Sequence, residues 1–315
     1  MTSGGFEHIP VLSREVAELL SFPPGARLRF VDGTVGGGGH AAMLLERYPE
    51  LELVGIDRDQ SALEAAARRC EFAAGRVTLV RGDFADMKAI VSRQGWSEVD
   101  GILLDIGVSS PQLDRPERGF SWRADGPLDM RMDERQSLTA GRLLNQAPEE
   151  ELARIFREYG EIVQAKKLAA AAAARRAERP FGTTSELVAL CDEVLGRSRP
   201  GRLPLPTLVF QALRIAVNDE LGQLERALRD GAALLKRGGR IAVITFHSLE
   251  DRIVKNFFRE ESSGCLCPPG LPVCRCGHRA SLKLVNRKPL GPQADEVAGN
   301  RRAACAKIRA AEKIC

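Results

Sequence analysis

A glycine-rich stretch and a set of acidic residues in the first third of the chain have the types and spacing of a cofactor site. The stretch VDGTVGGGGH, Val31–His40, contains five glycines. Because glycine loses more conformational freedom on folding than any other residue, such a run indicates a loop that a ligand approaches closely. Acidic residues follow four short apolar runs, at Asp32, Asp57, Asp83 and Asp105. Carboxylates in such positions bind ribose hydroxyls, which predicts an adenosine-containing cofactor.

The elements that must position these residues alternate between strands and helices. Helical patterns at Ala41–Arg47, Ser61–Cys70 and Ala85–Gln94 separate the apolar runs. This alternation predicts an α/β fold with a mostly parallel sheet, which binds ligands at the carboxyl ends of its strands. The predicted strands are Leu28–Val31, Leu51–Ile56, Val77–Val80, Val99–Leu104 and, later in the chain, Arg240–Thr245.

The loop pattern alone leaves two cofactors open. Gly36, Gly38 and Ala41 fit the G-x-G-x-x-A spacing of dinucleotide binders, which would make the protein a nucleotide-linked oxidoreductase. The same loop fits D-x-G-x-G-x-G of methyltransferases, except that Thr34 replaces the first glycine. Asp83-Phe84 suits an adenine edge and face, and an acid after the fourth strand suits methyl transfer, so S-adenosyl-L-methionine (AdoMet) is favoured. A non-enzymatic regulator that binds nucleic acid is a third hypothesis.

Four longer segments carry a resemblance to a known family. They are HIPVL at His8–Leu12, DIGVSSPQLDRPERGFSWRADGPLDMRMD at Asp105–Asp133, FQALRIAVNDEL at Phe210–Leu221 and FHSLEDRIVK at Phe246–Lys255. With DGTVGGGGH, they make the chain resemble the MraW/RsmH family over nearly its whole length. The resemblance implies AdoMet-dependent N4-methylation of a cytidine in the decoding region of small-subunit (16S) rRNA.

The resemblance also implies a fold and a set of cofactor contacts. The fold is that of a class I (Rossmann-like) methyltransferase, with a mostly parallel sheet, helices on both faces and an inserted helical domain. The implied partner is 16S rRNA within the small ribosomal subunit, and a homodimer is compatible with it. The implied AdoMet-binding residues are Gly38, Gly39, His40, Asp57, Phe84, Asp105 and Gln112.

The candidate catalytic residues follow the fourth and fifth strands. Asp105 ends the fourth strand, and Ser109 and Ser110 form a turn with Pro111 shortly after it. We expect these three residues to position the target amine. His247 follows the fifth strand and would line the same pocket. Two structural alternatives stay open: Ser109 and Ser110 could cap a turn, and His247 could be a structural histidine. No metal ligand is assigned to this site.

The middle of the chain predicts a helical insertion. The expected domains are 1–112 with 207–315 for AdoMet binding and 113–206 for substrate recognition. Helices are predicted at Glu149–Tyr159, Ile162–Arg179 and Thr184–Leu195, and a single long helix at Phe210–Leu235. Basic residues concentrate in the insertion and suit RNA phosphates, although an ordinary solvated face would look the same. They are Lys166, Lys167, Arg175, Arg176, Arg179, Arg197, Arg199 and Arg202.

Four cysteines form two C-x-C pairs near the C-terminus, Cys265/Cys267 and Cys274/Cys276. Closely spaced cysteines in a reducing compartment suggest a metal, and a structural zinc and a loop of free thiols both fit the pattern.

Composition places the chain among ordinary globular proteins. Of its 315 residues, 44% are hydrophobic and 28% charged, with a net charge of +4 that is compatible with nucleic acid. We see neither a membrane-spanning run nor a signal peptide, so a cytoplasmic location is expected.

Overall fold

The computed structural model describes residues 10–196, 203–268 and 273–315. They form two compact units, one reaching to Gly107 and resuming at Leu221, and the other spanning Val108–Glu220. The inserted domain predicted over 113–206 lies within the second unit. Part of the predicted HIPVL segment, together with Arg197, Arg199 and Arg202, lies outside the described residues.

The first unit contains a seven-stranded sheet in the order β3-β2-β1-β4-β5-β7-β6. Neighbouring strands from β3 to β5 pair in parallel, whereas β7 runs antiparallel to both β5 and β6. The strands are β1 Leu28–Asp32, β2 Leu51–Asp57, β3 Val77–Arg81, β4 Val99–Asp105, β5 Leu235–Thr245, β6 Leu282–Leu284 and β7 Lys307–Lys313.

The helices connect these strands and build the second unit. In chain order they are α1 Ser13–Leu19, α2 Gly39–Arg47, α3 Gln60–Arg69, α4 Met87–Arg93, α5 Ser110–Asp114, α6 Ala140–Gln146, α7 Glu149–Glu158, α8 Ala165–Glu178, α9 Thr184–Leu195, α10 Leu205–Asn218, α11 Glu220–Leu234, α12 Ser248–Glu261 and α13 Ala294–Gly299. Short 3₁₀ turns occur at Glu71–Ala73, Phe84–Asp86, Pro116–Arg118 and Arg301–Cys305.

Apolar clusters cover both faces of the sheet at its central strands. Side chains alternate between the two faces of a strand, so Phe30 and Leu53 pack into one apolar cluster. Their neighbours Val31 and Val54 pack into another. A parallel sheet covered on both faces is the α/β arrangement that the sequence predicts, and that prediction is confirmed.

The second unit has its own helical core. Phe156, Leu168, Leu187 and Leu213 from α7, α8, α9 and α10 are almost completely buried in one cluster. The predicted helices of the insertion are present with shifts of at most a few residues at their ends.

The single long helix predicted over Phe210–Leu235 is wrong. Two helices, α10 and α11, occupy this stretch, and Asp219 separates them with a left-handed φ of 48°. A residue in that conformation cannot continue a right-handed helix, and aspartate tolerates it better than most residues because of its short polar side chain. Leu235 itself begins β5.

Within the described residues, every helix is too short or too polar to cross a lipid bilayer.

Candidate active site

The glycine loop connects the end of β1 to the start of α2 and leaves little room for side chains at Gly38 and Gly39. Gly38 has a φ of 80°, and a Cβ there would lie 3.0 Å from the Cα of Ala66. A Cβ on Gly39 would lie 3.1 Å from Pro10. Glycine at these two positions therefore lets the loop lie close to α3 and lets Pro10 pack against the start of α2.

Asp57 at the end of β2 holds this loop. Its Oδ2 accepts a hydrogen bond from the backbone N–H of Gly36 at 2.9 Å, and its Oδ1 accepts one from Asp59 at 2.8 Å. Each carboxylate oxygen can accept more than one hydrogen bond, so Asp57 keeps capacity for a ligand hydroxyl. Burial raises the pKa of Asp57, although these N–H donors act in the opposite direction.

Thr34 links the glycine loop to β4, and sequence reasoning did not assign it a role. Its Oγ1 accepts the backbone N–H of Asp105 at 2.6 Å, and its own N–H donates to Asp32 Oδ1 at 3.2 Å. The hydroxyl thus fixes the backbone from which the Asp105 side chain projects. The one available signal was the departure itself, a threonine where the methyltransferase loop pattern has glycine.

Three carboxyl groups and one imidazole face the same region at the carboxyl ends of β1, β2 and β4. Asp32 is 1% exposed, and burial raises its pKa to about 7. The charge of His40 acts against this shift, whereas the charges of Asp105 and Asp57 add to it. His40, at the start of α2, is also buried, and its Nε2 lies 3.7 Å from Asp105 Oδ2.

Several buried polar atoms of this group have no hydrogen-bond partner among the described residues. They are both ring nitrogens of His40 and Oδ1 of Asp105. An unsatisfied buried polar group costs roughly 1–3 kcal/mol, so its presence indicates a ligand-binding site. A surplus of carboxyl groups beside a bare glycine loop fits a cationic ligand such as AdoMet, which carries a sulfonium and an ammonium group.

Phe84 lies beside the loop, as the prediction of an adenine-stacking aromatic requires. A Cβ on Gly33 would lie 3.1 Å from the Cβ of Phe84, so the two residues are neighbours. The ring is partly buried against the apolar cluster on one face of the sheet. The adjacent Asp83 is paired with Arg58. Stacking of adenine on the ring stays a prediction.

Ser109, Ser110 and Gln112 belong to the second unit, where they begin the short helix α5. Ser109 is its N-cap: its Oγ accepts the N–H of Gln112 at 3.4 Å, and Gln112 Oε1 accepts the N–H of Ser109 at 3.1 Å. This reciprocal pair is a capping box. Ser109 therefore has the helix-capping role that was one of the two alternatives for it. The catalytic role of the two serines and the cofactor contact of Gln112 stay predictions.

His247 caps another helix. Its Nδ1 accepts the N–H of Glu250 at 3.5 Å at the start of α12, and its Nε2 lies 3.0 Å from Glu250 Oε1. Glu250 also accepts the N–H of Phe246 at 2.8 Å. The Nδ1 of the imidazole thus caps α12, whereas its Nε2 is buried without a hydrogen-bond partner among the described residues. The predicted catalytic role of His247 stays a hypothesis.

The strand order, the reversed β7 and the acid-lined glycine loop define a class I methyltransferase fold. The sequence profile of the MraW methylase family matches residues 5–314, and the chain belongs to that family. The predicted family and fold are confirmed, and the cofactor is AdoMet. The family therefore favours a methyltransferase over the alternative of an oxidoreductase.

Named relatives resemble the chain along its whole length. A ribosomal RNA small subunit methyltransferase H from Heliobacterium modesticaldum is 51% identical over 314 residues, covering 98% of this chain and 99% of its own. A protein of the same name from Syntrophotalea carbinolica is 51% identical over 316 residues, covering 100% of both. Among solved structures, an rRNA methylase from Streptococcus thermophilus covers 96% of this chain and 94% of its own, at 10% identity and a TM-score of 0.41.

Proposed function

We propose that this protein uses AdoMet to methylate N4 of a cytidine in the decoding region of 16S rRNA, within the small ribosomal subunit in the cytoplasm. The observation that carries the proposal is Asp105: a buried carboxylate oxygen without a partner among the described residues, at the end of β4 and 3.7 Å from the His40 ring. The names of the relatives support the choice of small-subunit rRNA as substrate.

The cofactor would be held by the loop and the acids around it. The backbone at Gly38 and Gly39 would take the methionine portion, with His40 beside it. Asp57 would accept the ribose hydroxyls and Phe84 would pack on adenine. When bound there, AdoMet supplies a methyl group on a positively charged sulfur. The resemblance also implies a contact from Gln112.

Asp105 would position the target amine. The lone pair of the cytosine N4 amine is delocalised into the ring, which makes it a weak nucleophile. A carboxylate oxygen that accepts one N–H of the amine fixes the direction of its lone pair. Orientation of this kind contributes several kcal/mol, up to about 7–11 in favourable cases. The hydrogen bond that the Asp105 backbone N–H donates to Thr34 Oγ1 would keep the carboxylate in place while it does so.

The proton released by the amine needs no strong base. Once N4 forms its new bond it becomes acidic, so water or a carboxylate can remove the proton. Asp105 would be the nearest such carboxylate. The imidazole of His40 lies 3.7 Å from it, and an imidazolium there would stabilise the negative charge of Asp105. Ser109, Ser110 and His247 remain secondary candidates for holding the amine.

The second unit would recognise the RNA, with 113–206 as its core segment. Several of its basic side chains also have structural tasks: Arg175 pairs with Glu193 at 2.7 Å, and Arg179 with a glutamate of α9 at 3.0 Å. Arg176 donates to two backbone carbonyls at the end of α6. Lys166 is exposed. Because the target base must reach the cofactor, the RNA would be unpaired at that position.

Methyl transfer to isolated small subunits tests this proposal. Purified protein with methyl-labelled AdoMet should label 16S rRNA in subunits that lack the modification, and Asp105→Asn should slow the labelling. Thr34→Ser is the matched control, because it keeps the hydroxyl that accepts the Asp105 N–H. Label in large-subunit rRNA, or in protein alone, would contradict the proposed substrate.

A further inference from the structure

We propose that the four cysteines between α12 and β6 bind a structural zinc ion. The site consists of Cys265, Cys267, Cys274 and Cys276, and it contains none of the residues that bind the cofactor or act in methyl transfer. Their sulfur atoms all lie within 4.8 Å of one another. The inference is therefore independent of the proposed function.

Three of the six distances between the sulfurs are close to the edges of a tetrahedron around one ion. Cys265 Sγ lies 3.4 Å from Cys274 Sγ and 3.8 Å from Cys276 Sγ, and the latter two are 3.6 Å apart. Four sulfurs bound at about 2.3 Å from a zinc ion are separated from each other by about 3.8 Å. A disulfide would need about 2.05 Å, and all four cysteines are free thiols.

The donor set selects zinc by its chemistry. Four thiolates favour soft or borderline metals over Mg²⁺ or Ca²⁺, which prefer oxygen ligands. Sulfurs grouped around one point suit a single ion, whereas the cysteines of an iron–sulfur cluster bind different irons and lie farther apart. With four protein ligands, the ion has no open position for a substrate, so its role is structural.

Backbone N–H groups surround the sulfurs in the way that a negatively charged thiolate site requires. The N–H of Leu266 donates to Cys276 Sγ at 3.3 Å, and that of Arg275 to Cys267 Sγ at 3.4 Å. The N–H of Cys267 donates to Cys265 Sγ at 3.4 Å. Such bonds spread the excess charge of a metal bound by four thiolates and orient its ligands.

The described residues of this segment, which end at 268 and resume at 273, have few other contacts within the segment itself. Its apolar side chains Leu266 and Val273 are 48% and 69% exposed, so they form no core of their own. Beyond the cysteines, it is tied to the protein where it meets α12: the N–H of Ser281 donates to Glu261 O at 2.8 Å, and the His278 ring contacts Glu260 O at 3.0 Å. A metal cross-link would supply the missing stabilisation.

Metal analysis of the purified full-length chain tests the proposal directly. Protein prepared under reducing conditions without added metal should contain about one zinc ion per chain by plasma mass spectrometry. The double substitution Cys274→Ser and Cys276→Ser should remove it. The matched control, Cys305→Ser with Cys315→Ser, changes two exposed cysteines outside the cluster and should keep the zinc.

Cobalt substitution gives a readout that does not depend on how the variants fold. Unfolding the wild-type chain in chelator and refolding it with Co²⁺ should produce the intense thiolate-to-cobalt absorption of a tetrahedral four-sulfur site. The proposal is overturned if the wild-type chain purifies without zinc and neither Zn²⁺ nor Co²⁺ binds on refolding. It is equally overturned if zinc survives loss of Cys274 and Cys276, or if the bound metal is an iron–sulfur cluster.

Discussion

The buried carboxyl group of Asp32 makes the pH dependence of AdoMet binding a sensitive test of the cofactor site. Burial raises its pKa to about 7, with further contributions from the charges of Asp105 and Asp57. In the free protein this group is therefore about half ionised at neutral pH. A cationic ligand in the site stabilises the ionised form, so binding should be coupled to release of a proton from Asp32.

The size of the effect follows from the pKa. With a value of about 7, Asp32 is about nine-tenths ionised at pH 8 and about one-tenth ionised at pH 6. If AdoMet binds the ionised form, the dissociation constant should rise about tenfold as the pH falls from 8 to 6. The stability of the free protein should change in the other direction. Asp32 holds its proton more tightly in the folded protein than in the unfolded chain, so protonation of Asp32 stabilises the fold. This stabilisation is lost as the pH rises from about 3.8 to about 7.

Calorimetric titration at several pH values would measure the effect, with Asp32→Asn as the control. Asparagine keeps the Oδ1 that accepts the N–H of Thr34 but cannot ionise. Subtracting its pH profile removes the titration of the ligand's own amino group. At pH 7, wild type should release about half a proton more than the variant. Equal slopes and equal proton release would refute the coupling of Asp32 to cofactor binding.

Three further substitutions test the remaining roles. Asp105→Asn should lower the single-turnover rate at saturating AdoMet and RNA by roughly 10²–10⁴-fold with RNA affinity little changed. An unchanged rate under these conditions would show that Asp105 only contacts the cofactor. His247→Asn should keep both the α12 cap and methyl transfer, whereas His247→Ala should cost about 0.5–2 kcal/mol of stability in chemical denaturation; an inactive but stable asparagine variant would instead make the imidazole catalytic. Lys166→Glu should weaken RNA binding and reduce its salt dependence by about one phosphate contact, while unchanged affinity and salt slope would remove Lys166 from the RNA surface.

The sequence was sufficient to predict the parallel strands and their acids. Runs such as Leu51–Ile56 are largely apolar, with Glu52 as the one charged residue, because both faces of the sheet are covered there, and each run is followed by an acidic residue. The predicted strands β1 to β5 therefore agree with the structure, apart from an earlier start of β5 at Leu235.

Other features depend on distant contacts and left no local pattern. Strand β7, Lys307–Lys313, is rich in charged residues and alanine, and its pairing with β5 and β6 makes it a strand. The break at Asp219 has neither glycine nor proline to announce it. The hydrogen bond from the Asp105 N–H to Thr34 joins residues that are 71 positions apart, which no reading of adjacent residues can detect.

The chemical identity of the methylated atom tests the proposed function most directly. Small-subunit rRNA would be isolated from cells with and without this protein, digested to nucleosides and analysed by tandem mass spectrometry. Small-subunit rRNA from cells with the protein should contain a cytidine methylated on N4. This nucleoside should be absent or strongly depleted in cells that lack the protein or carry only the Asp105→Asn variant. An unchanged N4-methylated fraction in cells without the protein, or a lost methyl group that maps to ring carbon 5 or the ribose, would contradict the proposed reaction.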